Sequence, residues 1–164
     1  MSVPTRWANR DDSSAGHPRL PAGGPLVNGN GVKITAEVIS LRIPADPRFL
    51  RVARMAASSV GSLVGLALDD LEDLKIGVGE VVTSLLELGN GNELTLEFQL
   101  VDLGVELFAY VELDGPSEVD EERAALGLQI LDVVADEHQF SLDTGRAAIW
   151  FRRSVDTLAD VDES

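Results

Sequence analysis

Two runs of strict alternation constrain this chain more than any other feature. Leu94, Leu96, Phe98 and Leu100 are followed, after a link at 102–104, by Val105, Leu107, Ala109, Val111 and Leu113. Successive side chains of a strand point to opposite faces, so each run presents one apolar face and one polar face. A link this short makes the pair an antiparallel hairpin. His138, Phe140 and Leu142 with Ala147, Ile149 and Phe151 repeat the pattern around Thr144 and Gly145. A shorter alternation, Ile39, Leu41 and Ile43, predicts a first strand that stops at Pro44.

Between these strands the period changes to that of a helix. Asp46 and Pro47 suit an N-cap and a first helical position. The stripe Phe49, Val52, Ala53, Ala56, Val60, Leu63 and Val64 then runs to Gly65. Asp69 is read as the cap of a second helix, with Glu72 three residues on and acids in the first turn. Its expected buried face is Leu71, Leu74, Val78, Val81, Leu85 and Leu88, ended by Gly89, Asn90 and Gly91. A turn at 114–117 leads into a third helix over about 118–135, acidic at first and then apolar at Leu126, Ile130, Leu131 and Val134. The order β-α-α-β-β-α-β-β predicts an α+β two-layer sandwich, its helices on one face of a mixed, mostly antiparallel sheet.

Residues 1–32 are rich in Gly, Pro, Ser and Asn, without apolar period, and read as a flexible leader. The folded domain is expected at 33–153 and an acidic tail at 154–164. The 164 residues contain no cysteine, which excludes disulfides and thiolate chemistry, and only two histidines, His17 and His138. No metal site is expected from so small a donor set. The net charge of -15 opposes nucleic acid and anionic membranes. No apolar run approaches a membrane span and no signal-peptide core is present, so the expectation is a cytoplasmic protein. Charge is uneven: Arg42, Arg48, Arg51 and Arg54 fall together, whereas Lys75 is the only base between Arg54 and Arg123. Such a cluster is either a solvated helix face or a docking patch for an acidic partner.

Four stretches carry a resemblance. The strand, corner and helix at Leu41-Arg42-Ile43-Pro44-Ala45-Asp46-Pro47 precede a helix holding Gly77-Val78-Gly79-Glu80-Val81-Val82-Thr83-Ser84. Leu113-Asp114-Gly115-Pro116-Ser117 follows a strand, and Ala125-Leu126-Gly127-Leu128 lies in the third helix. In that order, over about 34–153, the chain resembles the anti-sigma factor and serine-protein kinase family of the GHKL (histidine kinase-like, Bergerat-fold) ATPases. The resemblance implies a site for ATP and magnesium built from these boxes. The family's first box is Glu-x-x-Thr-Asn, then a His after three residues. Glu80 and Thr83 match it, Ser84 stands at the magnesium-holding Asn, and Leu88 at the His. Glu80 would be the catalytic residue, but reads equally well as a half-exposed helix carboxylate.

The family's Asp-x-Gly-x-Gly box puts Leu113 at the adenine-reading Asp and Gly115 at the first Gly. Asp114 is adjacent, but strand alternation turns it the other way unless a one-residue bulge intervenes. The last glycine box keeps Gly127 alone. The segment that would cover the phosphates, 118–123, holds four acids and one base, which opposes a triphosphate. The cofactor-binding set Ser84, Leu113, Asp114, Gly115 and Gly127 is therefore expected to be degenerate, with ATP and magnesium bound weakly or not at all. The resemblance further implies a sigma factor and a STAS-type anti-anti-sigma protein as partners, partner switching in a stress response, and a homodimer. Arg48, Arg51 and Arg54 are the expected partner-binding residues. The alternative is an active ATP-dependent protein serine kinase.

Overall fold

A computed structural model describes residues 26–27, 33–34, 37–89, 91–101, 103–114, 121–143 and 145–155. The elements are β1 (Leu26–Val27), β2 (Lys33–Ile34), β3 (Val38–Pro44), a 3-10 turn (Pro47–Phe49), α1 (Leu50–Leu63) and α2 (Leu68–Leu88). They continue with β4 (Glu93–Val101), β5 (Gly104–Glu112), α3 (Glu121–Val134), β6 (Glu137–Asp143) and β7 (Arg146–Ser154). Five strands form one sheet in the order β3-β4-β5-β7-β6. Every described pairing is antiparallel, so the sheet is not mixed as expected. Strands joined by tight links must run in opposite directions, and β7 returns beside β5 through the β6 hairpin.

β1 and β2 pair with each other, Leu26 opposite Ile34. This ribbon crosses the boundary drawn at residue 32; residues 1–25 and 156–164, the bulk of the expected leader and tail, lie outside the described residues.

Period-2 burial follows the predicted faces closely. Leu94, Leu96, Phe98, Val105, Leu107, Ala109, Ile149 and Phe151 turn inward and are buried, against Leu74, Val78, Val81 and Leu85 of α2. Two helix details differ from the sequence reading. On α1 the buried line is Ala53, Ala57, Val60 and Gly61, whereas Val52 and Leu63 are exposed. The small Ala and Gly faces let α1 approach α2, and this rotates the larger residues outward. α2 begins at Leu68, capped by Ala67 and not by Asp69. The Ala67 carbonyl accepts the Leu71 N–H at 2.9 Å, so Asp69 and Asp70 occupy the first turn, where acids suit the helix dipole. Asp46 does cap as expected, accepting the Arg48 N–H at 2.8 Å.

One charged residue takes an inward position. After Ala147, Ile149 and Phe151, the alternation of β7 sends Arg153 to the helix side. Its Nη2 lies 2.6 Å from Asp70 Oδ1 and 3.2 Å from Asp73 Oδ2, and its Nη1 lies 3.6 Å from Asp136 Oδ1. Asp70 is buried, and the Arg153 side chain is 11% exposed. The cluster ties the start of α2 to the end of β7 and to the α3–β6 turn. Asp136 adds the N–H and hydroxyl of Ser154. Burial pulls the Arg153 guanidinium down, but the hydrogen bond it donates to Asp70 and the charges of Asp70, Asp73 and Asp136 outweigh it and hold it above its ordinary value.

Candidate functional site

α2 and α3 meet where the sequence places its boxes. Gly127 is buried against Ser84: a Cβ built on Gly127 would lie 2.5 Å from Ser84 Oγ. Only a residue without a side chain lets α3 seat this closely. Around the contact, Ser84, Leu88, Gly127, Leu128, Leu131, Phe140 and Ile149 line a cavity of about 10 Å3 to a water-sized sphere. That is room for about one water molecule. Ser84 supplies the cavity's one polar side chain. His138, two residues before Phe140 on β6, is held by Asp132 of α3 at 2.6 Å, which pins the helix to β6.

Glu80 sits one turn before Ser84 and is half-buried; Thr83 is exposed. Glu80 and Ser84 share a side of α2, as their spacing requires. Leu113 is 8% exposed and packs into the core, its N–H donated to the Gly145 carbonyl at 2.8 Å. The β5–β7 ladder runs unbroken from Gly104↔Ser154 to Glu112↔Arg146, so no bulge turns Asp114 inward. Asp114 instead lines a cleft of about 330 Å3 with Arg42, Thr95, Tyr110 and Glu112, on the face of the sheet away from the helices. The structure thus joins Ser84 and Gly127, sets Leu113 in the core, and separates Asp114 from both. Gly115 and the acidic segment at 118–120 lie outside the described residues. Among the described residues, no group of three or more His, Asp or Glu is placed to hold a metal ion.

The arginine cluster also divides. Arg42 belongs to β3 and leans on Glu93 at 4.0 Å, on the helix-free face. Arg48 is engaged by its own cap: Nε and Nη2 grip both Asp46 oxygens at 2.9–3.1 Å. The Arg48 hydrogen bonds hold the Asp46 carboxyl below the usual range, so any stability it lends is lost only as pH falls through that lowered value. Arg51 and Arg54 have no carboxylate within 4 Å among the described residues. The Arg54 guanidinium lies across α2 at Gly79, where a Cβ would come within 2.8 Å of its Nε and Nη2. It therefore sits beside the residue next to Glu80.

Sequence reasoning missed the apolar part of this surface. Val52, Met55 and Leu63 stand 42%, 62% and 70% exposed along the outer side of α1. Their three- and eight-residue spacing places them on one stripe, which the sequence could not distinguish from a core stripe. No described helix is long and apolar enough to cross a membrane.

No family model matches the chain. Curated relatives do. The serine-protein kinase RsbW of Bacillus licheniformis is 24% identical over 135 residues, covering 70% of this chain and 84% of that protein. Its namesake in Halalkalibacterium halodurans is 27% identical over 127 residues, 66% and 78% of the two chains. That of Listeria innocua is 25% identical over 131 residues, 68% and 83%. With the α+β sandwich in place beneath them, these relatives show the resemblance read from the motifs, that of the chain to the anti-sigma factor and serine-protein kinase family.

Proposed function

We propose that this protein is an anti-sigma-factor-like regulator that holds a sigma factor and is released by a STAS-type anti-anti-sigma protein, with its nucleotide site degenerate. The observation that carries the reading is the outer side of α1. There two arginines with no ion partner among the described residues, Arg51 and Arg54, border exposed Val52, Met55 and Leu63. A surface both apolar and charged suits a protein partner, the apolar stripe supplying contact area and the arginines steering and register. Arg48, neutralised by Asp46, contributes less than the sequence suggested. Two-residue reversal, Arg51→Glu with Arg54→Glu, is expected to leave stability nearly unchanged. It should weaken capture of a sigma factor or STAS-type protein roughly tenfold at low salt. The bound proteins are identified by mass spectrometry; undiminished capture by the folded variant removes α1 from the interface, and capture of neither class by the parent defeats the reading.

The degenerate site rests on the other side of α2. A cavity of about 10 Å3 stands where Ser84 faces Gly127, and Leu113 offers adenine no hydrogen bond. A ligand at 100 times its dissociation constant stabilises a fold by about 2.7 kcal/mol. Millimolar Mg-ATP is expected to give no such rise in melting temperature. A saturable shift, or transfer of phosphate to a serine of a STAS-type protein, would instead establish the kinase. Restoring the family residue with Ser84→Asn puts a longer side chain where Ser84 already closes on Gly127 of α3. A homodimer, implied by the resemblance, is read from light scattering of the same samples.

A further inference from the structure

The seam between α1 and α2 closes over a residue that has no side chain. Gly79 is buried inside α2, at a position where helix propensity favours alanine. What covers it is Arg54, an exposed residue of α1. A Cβ built on Gly79 would lie 2.8 Å from Arg54 Nε, 2.8 Å from Nη2 and 3.2 Å from Cζ. The two nitrogens are nearer than the carbon between them, so the guanidinium turns its Nε–Nη2 edge to the glycine and Nη1 away from it. Close packing of the helices does not require this glycine. At Gly77 the neighbour is the fully buried Phe151 ring, whereas at Gly79 it is the far end of a flexible side chain, which a Cβ can push aside.

Among the described residues Arg54 has neither an ion pair nor a hydrogen bond. Its contact with Gly79 is therefore what sets where the charge stands. An arginine that rotates freely loses its rotamers on binding, and one already seated has lost part of them beforehand. The seat also joins two surfaces. Ile76 and Thr83 lie about one turn before and after Gly79 on the same side of α2. Both are exposed, Ile76 by 39%. On α1, Met55 follows Arg54 and Arg51 lies one turn back. The Arg54 charge thus falls between an apolar residue of α2 and the outer stripe of α1.

We infer that Gly79 is a positioning residue for partner docking. By seating Arg54 in the seam it makes Ile76 and the α1 stripe one surface, fitted to a protein segment that sets a carboxylate among apolar side chains. An unmatched guanidinium takes a carboxylate through its fork, and the apolar flanks take apolar contact. Nucleic acid, the other common anionic partner, is opposed by the net charge of -15. The role rests on the outer side of α1 being the docking surface, and it extends that surface onto α2.

Gly79→Ala separates recognition from folding. Alanine is the better helix residue and the atoms it displaces can move into solvent, so the melting temperature should equal or exceed that of the parent. The probe is the purified sigma factor or STAS-type protein identified by capture on the full chain, its dissociation constant read by calorimetry. Gly79→Ala should weaken binding roughly two- to tenfold, the range for having to immobilise one rotamer-rich side chain. In an Arg54→Ala background the same change should have no effect. Ile76→Gln should weaken binding severalfold with the fold intact. The seat is read without a partner, from NMR nitrogen relaxation of the Arg54 Nε–H, assigned by its loss in Arg54→Ala. That group should be ordered in the parent and mobile in Gly79→Ala. Equal mobility in both overturns the proposal, as does unchanged binding by Gly79→Ala or a loss that persists without Arg54. A melting temperature that falls in step with binding makes Gly79 a packing residue only and overturns it too. Unchanged binding by Ile76→Gln confines the surface to α1 and defeats its extension. A parent that binds neither class of protein defeats the docking role of α1 itself, and an ordered Arg54 Nε–H would then show the seat intact.

Discussion

Replacing Arg153 with Ala is expected to destabilise the fold by about 3–5 kcal/mol, the range for leaving a buried charge without its partner. Asp70 is buried and Asp73 lies beside it; with the guanidinium gone, two carboxylates face each other at the start of α2 with no cation between them. Urea unfolding of the parent and variant gives the difference. Its pH dependence follows from the sign of the Arg153 shift. A base raised in the fold lends its full stability below its unfolded value and loses it only as pH rises through the folded one. For arginine both lie far above the working range, so the gap between the two proteins should be flat from about pH 6 to 9. Changing both partners, Arg153→Met with Asp70→Leu, should cost less than Arg153→Ala alone, because matched apolar groups leave fewer charges stranded. A loss below about 1 kcal/mol for Arg153→Ala would place the cluster among exposed ion pairs, which contribute that little.

Gly77→Val is expected to cost about 2–3 kcal/mol, the upper part of the range for overpacking a tight core. Helix propensity argues the other way, since glycine inside a helix is worse than alanine by about 1 kcal/mol. The geometry decides. A Cβ at Gly77 would lie 2.9 Å from Cζ and 3.1 Å from Cε2 of Phe151, a fully buried ring on β7. That ring is fully buried in the core between β7 and α2, so admitting a valine requires it to shift within packed surroundings. Shrinking the ring with Phe151→Leu should make the glycine substitution cheaper, so a double-mutant cycle between the two positions should show favourable coupling. Melting of the four proteins measures it. A gain in stability for Gly77→Val alone would mean that α2 rides higher above β7.

The sheet was legible in the sequence because period 2 is set by covalent geometry and survives any tertiary context. The predicted inward positions of β4, β5 and β7 are buried, except Leu100 near the end of β4, which is half-buried. Helix faces were harder, because small residues carry little hydrophobic signal but permit close packing. Ala57 and Gly61 line the α1–α2 contact, while Val52 and Leu63, the stronger signals, face outward. Arg153 could have been found: a charge at an inward strand position demands a buried carboxylate, and the acids at 69, 70, 72 and 73 were the candidates. Asp70, the buried one of the two that meet Arg153, could be chosen only after the helix start moved to Leu68. At the site, alternation foretold that Leu113 and Asp114 separate. The seating of Gly127 on Ser84 could not be read, since it depends on how α3 crosses α2, a distance that no sequence spacing encodes. Nor could the sequence tell that Arg48 answers its own cap, because an Asp two residues before an Arg serves equally as cap or as free acid.

The position of β7 has a consequence for how the chain reaches its fold. The last of the described strands is a central one, paired on one side with β5 and on the other with β6. Its ladder with β5 joins residues 146 − 112 = 34 to 154 − 104 = 50 positions apart. Pairing across such separations closes large loops before any contact rewards them, and it slows folding. While a ribosome is still short of Arg146, β3, β4 and β5 can already assemble as a meander, but β5 keeps a bare apolar edge and Phe151 is absent from beneath α2. Such an edge is a template for pairing with other chains. The time between synthesis of Glu112 and arrival of β7 is therefore the interval in which this protein is most prone to aggregate, and a chaperone that shields strand edges would act on it there.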